Sequence, residues 1–397
     1  MVITATTSIW TFIFSLYYTF WPLYLMELGA TTENIGLIAM IQSTAQLLFQ
    51  LPGGILADRI GRRKVIVYGS MFRLITPIVF LFATSWEMVL PGVIFQAVAS
   101  IYMPAFNALI AESLPHEDRG SAFGAYRMIT MLPLVVTGFF SGVFMDHFGV
   151  WDGTRMILIG NVFASIFIVI VRYKFIKETF TSKQLNTAKK SSIKESISEL
   201  RNQPKTVWAL ISVSCLSSFA LRLSFSFFVL YAINIIGLSK TQWGLIGSII
   251  SVVSMSLSLP GGMITDKIGR KPNILIARIL TPITTLGLSF ARGFNQTLLV
   301  RLVSSIGGGL GGGISGASGG PAWQALLADI IPSHKRGRVY GLIGTLTGLV
   351  GAPAPWIGGL MWDQISPAFT LQMSCWLGII PAIIFLLFVK EPKNKEQ

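Results

Sequence analysis

The sequence predicts an all-α membrane protein with twelve transmembrane helices in two six-helix bundles. Three observations lead there. The composition is 52% hydrophobic and only 12% charged, with a mean hydropathy of +0.66. Apolar segments long enough to cross a bilayer recur along the 397 residues, and an internal repeat relates the two halves of the chain. An ordinary soluble domain carries roughly a quarter charged residues, so this composition excludes one.

A hydrocarbon core of ~30 Å requires about 20 helical residues. Twelve segments meet this length, at about 3–27, 33–57, 65–83, 86–113, 120–146, 153–177, 205–236, 240–266, 271–292, 295–331, 336–363 and 366–390. The first begins almost at Met1 without a basic leader or small-residue cleavage site, and is expected to be a retained helix rather than a signal peptide. It carries Tyr17, Trp21 and Tyr24, which at i, i+4 and i+7 would share one helical face. The second carries Gln42, Gln46 and Gln50 in a stripe, and three amides on one face are unsuited to lipid. Arginines fall inside the third (Arg73), fifth (Arg127), seventh (Arg222), ninth (Arg278) and tenth (Arg301). Arg222 is the most central of them, 17 residues beyond Lys205 and 15 before Gly237. Arg73, Arg127 and Arg278 lie near the basic loops, where snorkelling to the surface accounts for them. As one continuous helix the tenth segment would measure about 50 Å, so a break is expected in "GGGLGGGISGASGG" at 307–320. Close helix contact through small residues is the alternative reading of that stretch.

The repeat is visible in two alignments. "MELGATTENIGLIAMIQSTAQLLFQLPGG" at 26–54 matches "NIIGLSKTQWGLIGSIISVVSMSLSLPGG" at 234–262, an offset of 208 residues. "PAFNALIAESLPHEDRG" at 104–120 matches "PAWQALLADIIPSHKRG" at 321–337, an offset of 217. The chain therefore reads as an amino-terminal bundle at 1–177, a polar linker at 178–204, a carboxyl-terminal bundle at 205–390 and a tail at 391–397.

The net charge of +14 raises the question of a nucleic-acid partner. Of 31 basic residues, 23 fall in alternate loops, the linker and the tail, and three (Arg155, Lys240 and Arg292) in the opposite loops. That asymmetry is the positive-inside rule, which orients both termini and the linker to the cytoplasm of a multi-pass plasma-membrane protein. A lipid bilayer and a small-molecule solute are the expected partners, with no nucleic acid and a monomeric chain. Cys215 and Cys375 both lie in apolar segments and indicate neither a disulfide framework nor a metal site. No cofactor is implied. No G-x-x-x-x-G-K-[ST] phosphate loop occurs, so direct ATP drive has no support.

Two charged boundaries carry the most specific signal. "LPGGILADRIGRRK" at 51–64 returns as "LPGGMITDKIGRKP" at 259–272. A carboxylate at a helix end needs a cation, and Arg62 lies four residues past Asp58, as Arg270 lies four past Asp266. Each half adds a second pair, Glu112 with Arg119 and Asp329 with Arg336. Ion pairs at a wet boundary are worth only ~1 kcal/mol each, weak enough to latch one conformation and release in another. Setting topology and capping helices is the plainer account, and it suits Arg63, Lys64 and Lys271.

In these residues the sequence resembles the major facilitator superfamily of transporters, which carries G-x-x-x-D-[RK]-x-G-R-[RK] between its second and third helices and a weaker copy between the eighth and ninth. Here the motif reads Gly54, Asp58, Arg59, Gly61, Arg62, Arg63, and again Gly262, Asp266, Lys267, Gly269, Arg270, Lys271. The resemblance covers nearly the whole chain. It implies two bundles related by a pseudo-twofold along the membrane normal, with a central cavity that opens alternately to each side.

The resemblance also implies that the first, fourth, seventh and tenth helices line that cavity. Arg222 then becomes the candidate ligand for an anionic solute group, since its fork suits carboxylate or phosphate. A structural arginine bonded to neighbouring helices is the competing reading. Tyr17, Trp21, Gln96, Asn107, Gln42, Gln46, Trp323 and Gln324 are further solute-contact candidates; for any single aromatic among them, packing is the commoner role. All 17 acidic residues fall in loops or at segment ends, which leaves no obvious mid-membrane proton carrier. The arginine that the family's proton antiporters place three residues before the fourth-helix glutamine is Val93 here, and the fifth segment, "MLPLVVTGFFSG", matches their G-P-x-x-G-G poorly.

The expected function is therefore not enzymatic. It is secondary active or facilitative transport of a small organic solute by alternating access, with an organic anion as the leading solute. A multidrug efflux carrier is the alternative, and a transporter-like receptor or lipid scramblase the different class to test against.

Overall fold

The computed structural model describes residues 2–113, 126, 128–176, 205–311, 321–331 and 336–389, and among these all regular structure is helical. The helices succeed one another as α1 (Val2–Tyr18), α2 (Trp21–Glu27), α3 (Thr32–Ile60), α4 (Arg62–Phe82), α5 (Leu90–Ala99), α6 (Tyr102–Ser113), α7 (Pro133–Phe148), α8 (Val150–Phe175), α9 (Lys205–Phe225), α10 (Lys240–Ile268), α11 (Arg270–Phe290), α12 (Phe294–Gly311), α13 (Pro321–Ile330), α14 (Arg336–Gly351), α15 (Ala354–Gln364) and α16 (Pro367–Phe388). Paired as α1 with α2, α5 with α6, α12 with α13 and α14 with α15, they give twelve successive spans. A short helix at Phe228–Leu230 and a wide turn at Tyr231–Ile235, closed by Ile236 N–H on the Tyr231 carbonyl at 3.0 Å, complete the seventh.

The interruptions have local causes. The first span is not one straight helix: it turns at Thr19 and Phe20, so Tyr17 lies before the turn and Trp21 and Tyr24 after it. Pro22 explains the position, because its ring clashes with the carbonyl four residues earlier, at Tyr18. The fourth span turns at Ser100 and Ile101 by the same rule, four residues before Pro104. Pro321, the repeat-equivalent of Pro104, opens α13. The expected break at 307–320 falls largely outside the described residues; α12 runs on to Gly311, and 312–320 are not described.

Single glycines join consecutive spans where φ is positive. Gly61 (φ 92°) links α3 to α4, Gly269 (φ 91°) links α10 to α11, and Gly149 (φ 80°) links α7 to α8. This conformation costs an L-residue roughly 1–2 kcal/mol, which accounts for the glycine in the D-[RK]-x-G-R boundary motif.

The chain divides into two compact units. Unit 1 is drawn from Met1–Thr31, Ile41–Lys189 and Ser239–Ser248, and unit 2 from Thr32–Met40, Lys190–Leu238 and Ile249–Gln397. Each unit thus includes the amino-terminal end of one long helix from the other sequence repeat: α10 contributes to unit 1 and α3 to unit 2. Within unit 1 an apolar core gathers Ala57, Val65, Ile66, Tyr102, Phe106 and Ile176. Within unit 2 another gathers Leu210, Ile274, Trp323, Leu326 and Phe385.

Candidate solute-binding site

Unit 1 holds two guanidinium groups around one phenol. Arg73, midway along α4, donates to the Tyr102 hydroxyl, and its guanidinium lies 3.9 Å from the centre of the Trp10 ring. Arg172, near the end of α8 and 3% exposed, donates to Ser70 Oγ at 2.9 Å and to Thr6 Oγ1 at 3.4 Å. Its guanidinium also lies 5.7 Å from the Tyr102 ring centre and 5.3 Å from that of Phe106. The turn before Pro104 brings Tyr102 to this point. Among the described residues no carboxylate pairs with either arginine: their partners are hydroxyls and ring faces. Such a pair attracts anions, and the low dielectric of its surroundings strengthens that attraction.

Arg172 is hidden in the sequence because it stands just before the polar linker, where it reads as one more basic boundary residue. The signal that marks it is a polar stripe on α8: Asn161, Ser165 and Arg172 recur at helical spacing, and all three are buried. Tyr102 carries no sequence signal beyond its place before Pro104.

Unit 2 has a related arrangement. Arg278, 2% exposed, donates to Ser217 Oγ at 2.6 Å and lies 4.5 Å over Trp323 and 5.5 Å over Phe385. Snorkelling does not describe it: the guanidinium turns into the core, where aromatic faces and a hydroxyl receive it. The two arrangements are related by exchange. Ser70 and Arg278 are the ninth residues of α4 and α11, Arg172 and Phe385 stand three residues before the ends of α8 and α16, and Phe106 and Trp323 match through the 217 offset. Each repeat keeps a buried guanidinium over the aromatic at the same repeat position, Phe106 or Trp323, supplied from opposite helices.

The other sequence-predicted contacts are distributed as follows. Arg222 is half-buried in the last turn of α9; a Cβ built on Gly351, the last residue of α14, would lie 3.0 Å from its Cδ and 2.7 Å from Ser218 Oγ. Tyr17 is buried, edge-on to Phe14 at 5.3 Å and to Trp21 at 5.8 Å. Trp21 packs on Phe80 at 4.6 Å, and Tyr24 donates to the Phe80 carbonyl, so these two hold α2 against α4. Gln96 is buried in α5, Gln42 and Gln46 are half-buried on α3, Gln50 and Asn107 are exposed, and Trp323 lies in the core of unit 2. The side chain of Gln324 is outside the described residues.

At the charged boundaries the structure joins two of the residues predicted to gate. Arg270 pairs with Asp329, linking the start of α11 to α13. Arg63 donates to the Tyr173 carbonyl at 2.8 Å and Lys271 to the Leu386 carbonyl at 2.9 Å. These repeat-equivalent cations therefore cap the carboxyl ends of α8 and α16. Arg62 is half-buried at the start of α4. Arg119 and Arg127 lie outside the described residues, as do the side chains of Asp58, Glu112, Asp266 and Arg336 and the surroundings of Gly54 and Gly262. The glycine just before the motif is explained: a Cβ on Gly53 would overlap the Ile101 carbonyl, so α3 passes the turn between α5 and α6 at backbone contact.

Comparison with known proteins places this architecture. The sequence profile described as Major Facilitator Superfamily matches residues 3–315. An uncharacterized MFS-type transporter of Methanocaldococcus jannaschii is 26% identical over 382 residues, covering 93% of this chain and 89% of the relative. The "Probable 4-methylmuconolactone transporter" of Cupriavidus pinatubonensis is 30% identical over 192 residues, 48% of this chain and 43% of the relative. The quinolone resistance protein NorA of Staphylococcus aureus is 27% identical over 159 residues, 40% and 39%. Among solved structures, the nucleoside transporter NupG superposes with a TM-score of 0.77 at 14% identity, covering 98% of this chain and 100% of that one, which is a likeness of fold. The chain belongs to the Major Facilitator Superfamily, and is one of its multi-pass membrane transporters rather than an enzyme.

Proposed function

We propose that the chain carries a small organic solute bearing an anionic group across the plasma membrane by alternating access, as a monomer with both termini cytoplasmic. Transport is uncoupled or proceeds by ion exchange. The observation that carries the anionic part is the Arg73–Tyr102–Arg172 arrangement, two cations in membrane spans with no carboxylate beside them among the described residues. Charge kept buried within membrane spans is costly and is retained for pathways and ligands. Arg222 is the second proposed contact, with Tyr17, Trp21, Gln96, Asn107, Gln42, Gln46, Trp323 and Gln324 as the proposed surroundings. In the same reading Gly54, Asp58, Arg62, Glu112 and Arg119, and Gly262, Asp266, Arg270, Asp329 and Arg336, act as gating elements at the cytoplasmic end. The relative whose name gives 4-methylmuconolactone as its solute supports a small organic compound.

Multidrug efflux is the second reading, favoured by the partial match to NorA. Purified protein in liposomes separates the two. Uptake of labelled small carboxylates, tested one by one, should saturate and be inhibited by other carboxylates, and Arg73→Ala should raise KM by tenfold or more, on the order of a lost charged hydrogen bond. Flux of lipophilic cations that carboxylates do not inhibit and Arg73→Ala does not change would replace the anion reading with efflux. Labelled-lipid movement without solute flux would make the protein a scramblase.

A further inference from the structure

Two aspartates occupy matched places in the repeats and do matched work. In unit 1, Asp146 near the end of α7 accepts from the backbone N–H of Lys240 at 3.2 Å and of Thr241 at 2.8 Å, the first residues of α10, and pairs with Lys240 Nζ at 3.6 Å. In unit 2, Asp363 near the end of α15 accepts from the backbone N–H of Glu33, the second residue of α3, at 2.8 Å. The offset of 217 relates Asp146 to Asp363, and the offset of 208 relates Thr241 to Glu33. In both cases one repeat supplies the carboxylate and the other supplies the helix. The first N–H groups of a helix have no partner along their own helix, and a carboxylate there satisfies them and meets the positive end of the helix dipole.

The helices beneath these caps cross at backbone contact. A Cβ on Gly138 would meet the Gly244 carbonyl at 2.9 Å, and one on Gly142 would fall 2.8 Å from Thr241 Cα. In unit 2, a Cβ on Gly359 would fall 2.5 Å from the Thr32 carbonyl and one on Gly36 2.9 Å from Trp356 Cα. These glycines are repeat-equivalent as well, Gly142 with Gly359 and Gly36 with Gly244. Glu33 takes a further bond on its side chain, from Trp356 Nε1 at 3.3 Å.

We propose that Asp146 and Asp363 are paired latches, which hold the membrane face opposite the basic loops closed by capping α10 and α3, and which must both let go when that face opens. The crossings leave no room for a side chain, so the closed arrangement depends on close contact that lipid alone does not favour, and the caps supply a directional attraction at its edge. An opening that moves α10 from α7 strips Asp146 of two N–H donors and Asp363 of its own donor in the same movement. The inference rests on alternating access but not on the nature of the solute.

Thiol labelling of the full chain in nanodiscs tests it without any solute. A cysteine replaces Ile246 (1% exposed, in α10) or Ile35 (2% exposed, in α3), and its reaction with a water-soluble maleimide reports the opening of that face. The buried Cys215 and Cys375 of the parent give the baseline. Asp146→Asn should raise the labelling rate at Ile246→Cys about fivefold, the equivalent of one helix cap, and should raise it at Ile35→Cys by a similar factor. Asp363→Asn should do the same at both positions, and the double variant should exceed either single one. Asp146→Glu, which keeps the carboxylate, should return most of the parental rate. Acceleration only at the cysteine beside the mutated aspartate means local fraying and overturns the latch, as does no acceleration at either. If Asp146→Asn does not fold, Thr241→Pro, which removes the shorter of the two N–H donors and keeps the carboxylate, is read by the same criteria.

Discussion

Exchanging Arg278 and Phe385 for the pair that stands at their places in the first repeat is the sharpest test of the guanidinium arrangement. Arg278→Ser removes a buried charged hydrogen bond to Ser217 and a stacked contact over Trp323. Those are worth about 1.5–3 and about 1–2 kcal/mol, offset by relief of the cost of burying the charge, for a net loss of about 2 kcal/mol. Phe385→Arg alone deletes a fully buried ring and sets a second guanidinium beside Arg278, a loss of about 4 kcal/mol or more. If the two sites act independently the double variant loses about 6 kcal/mol. Suppose instead that the guanidinium introduced by Phe385→Arg lies over Trp323 and donates to the hydroxyl introduced by Arg278→Ser, as Arg172 lies over Phe106 and donates to Ser70. The double variant should then fall within about 2 kcal/mol of the parent, because the buried charge again has a hydroxyl and a ring face. Equilibrium unfolding in detergent micelles, followed by tryptophan fluorescence, reads the difference. A double variant as unstable as the sum refutes the reasoning that the junction needs one guanidinium from either helix.

Three further outcomes are expected. Gly149→Ala meets no atom within 4 Å and should cost only the left-handed backbone strain, about 1–2 kcal/mol in the same unfolding assay, whereas Gly142→Ala, which collides with α10, should also accelerate labelling at Ile246→Cys. Asp329→Asn leaves Arg270 without its half-exposed partner and should change stability by less than about 1 kcal/mol, so any larger change in flux measured in liposomes would reflect gating rather than folding. Tyr102→Phe keeps the ring over which Arg172 lies but removes the acceptor for Arg73, and solute affinity measured by isothermal titration should change by more than stability does.

The span boundaries are legible because a bilayer writes its thickness into the sequence: the beginnings and ends of α4, α8, α11 and α16 fall within a few residues of the apolar limits. The turns inside spans are less so. Pro22 and Pro104 announce them, yet a proline in a membrane helix gives the position of a break without saying whether neighbours repair it. The cap residues Asp146 and Asp363 stand out only as acidic groups near one face, since their partners lie far along the chain and are backbone groups with no sequence identity. Arg278 and Arg172 are misread for a common reason. Distance along the sequence from a basic loop does not give the direction of a side chain, and both turn inward because hydroxyls and aromatic faces wait there. For Arg222 the sequence locates depth within a span and cannot foresee Gly351 beside it.

The one-residue connections at Gly61, Gly149 and Gly269 bear on how the chain enters the membrane during synthesis. A single residue reaches at most about 3.5 Å, so the ends it joins cannot be parted by the thickness of a headgroup layer. The finished fold leaves no water-exposed chain between the spans on either side, so α3 with α4, α7 with α8 and α10 with α11 complete their insertion as hairpins. At Gly61 and Gly269 the tip is loaded with cations that favour leaving it on the side of synthesis, whereas the tip at Gly149 has no Lys or Arg between Arg127 and Arg155 and can be passed across. The same three residues that shape the finished turns thus set the size of the pieces in which the protein is delivered to the bilayer.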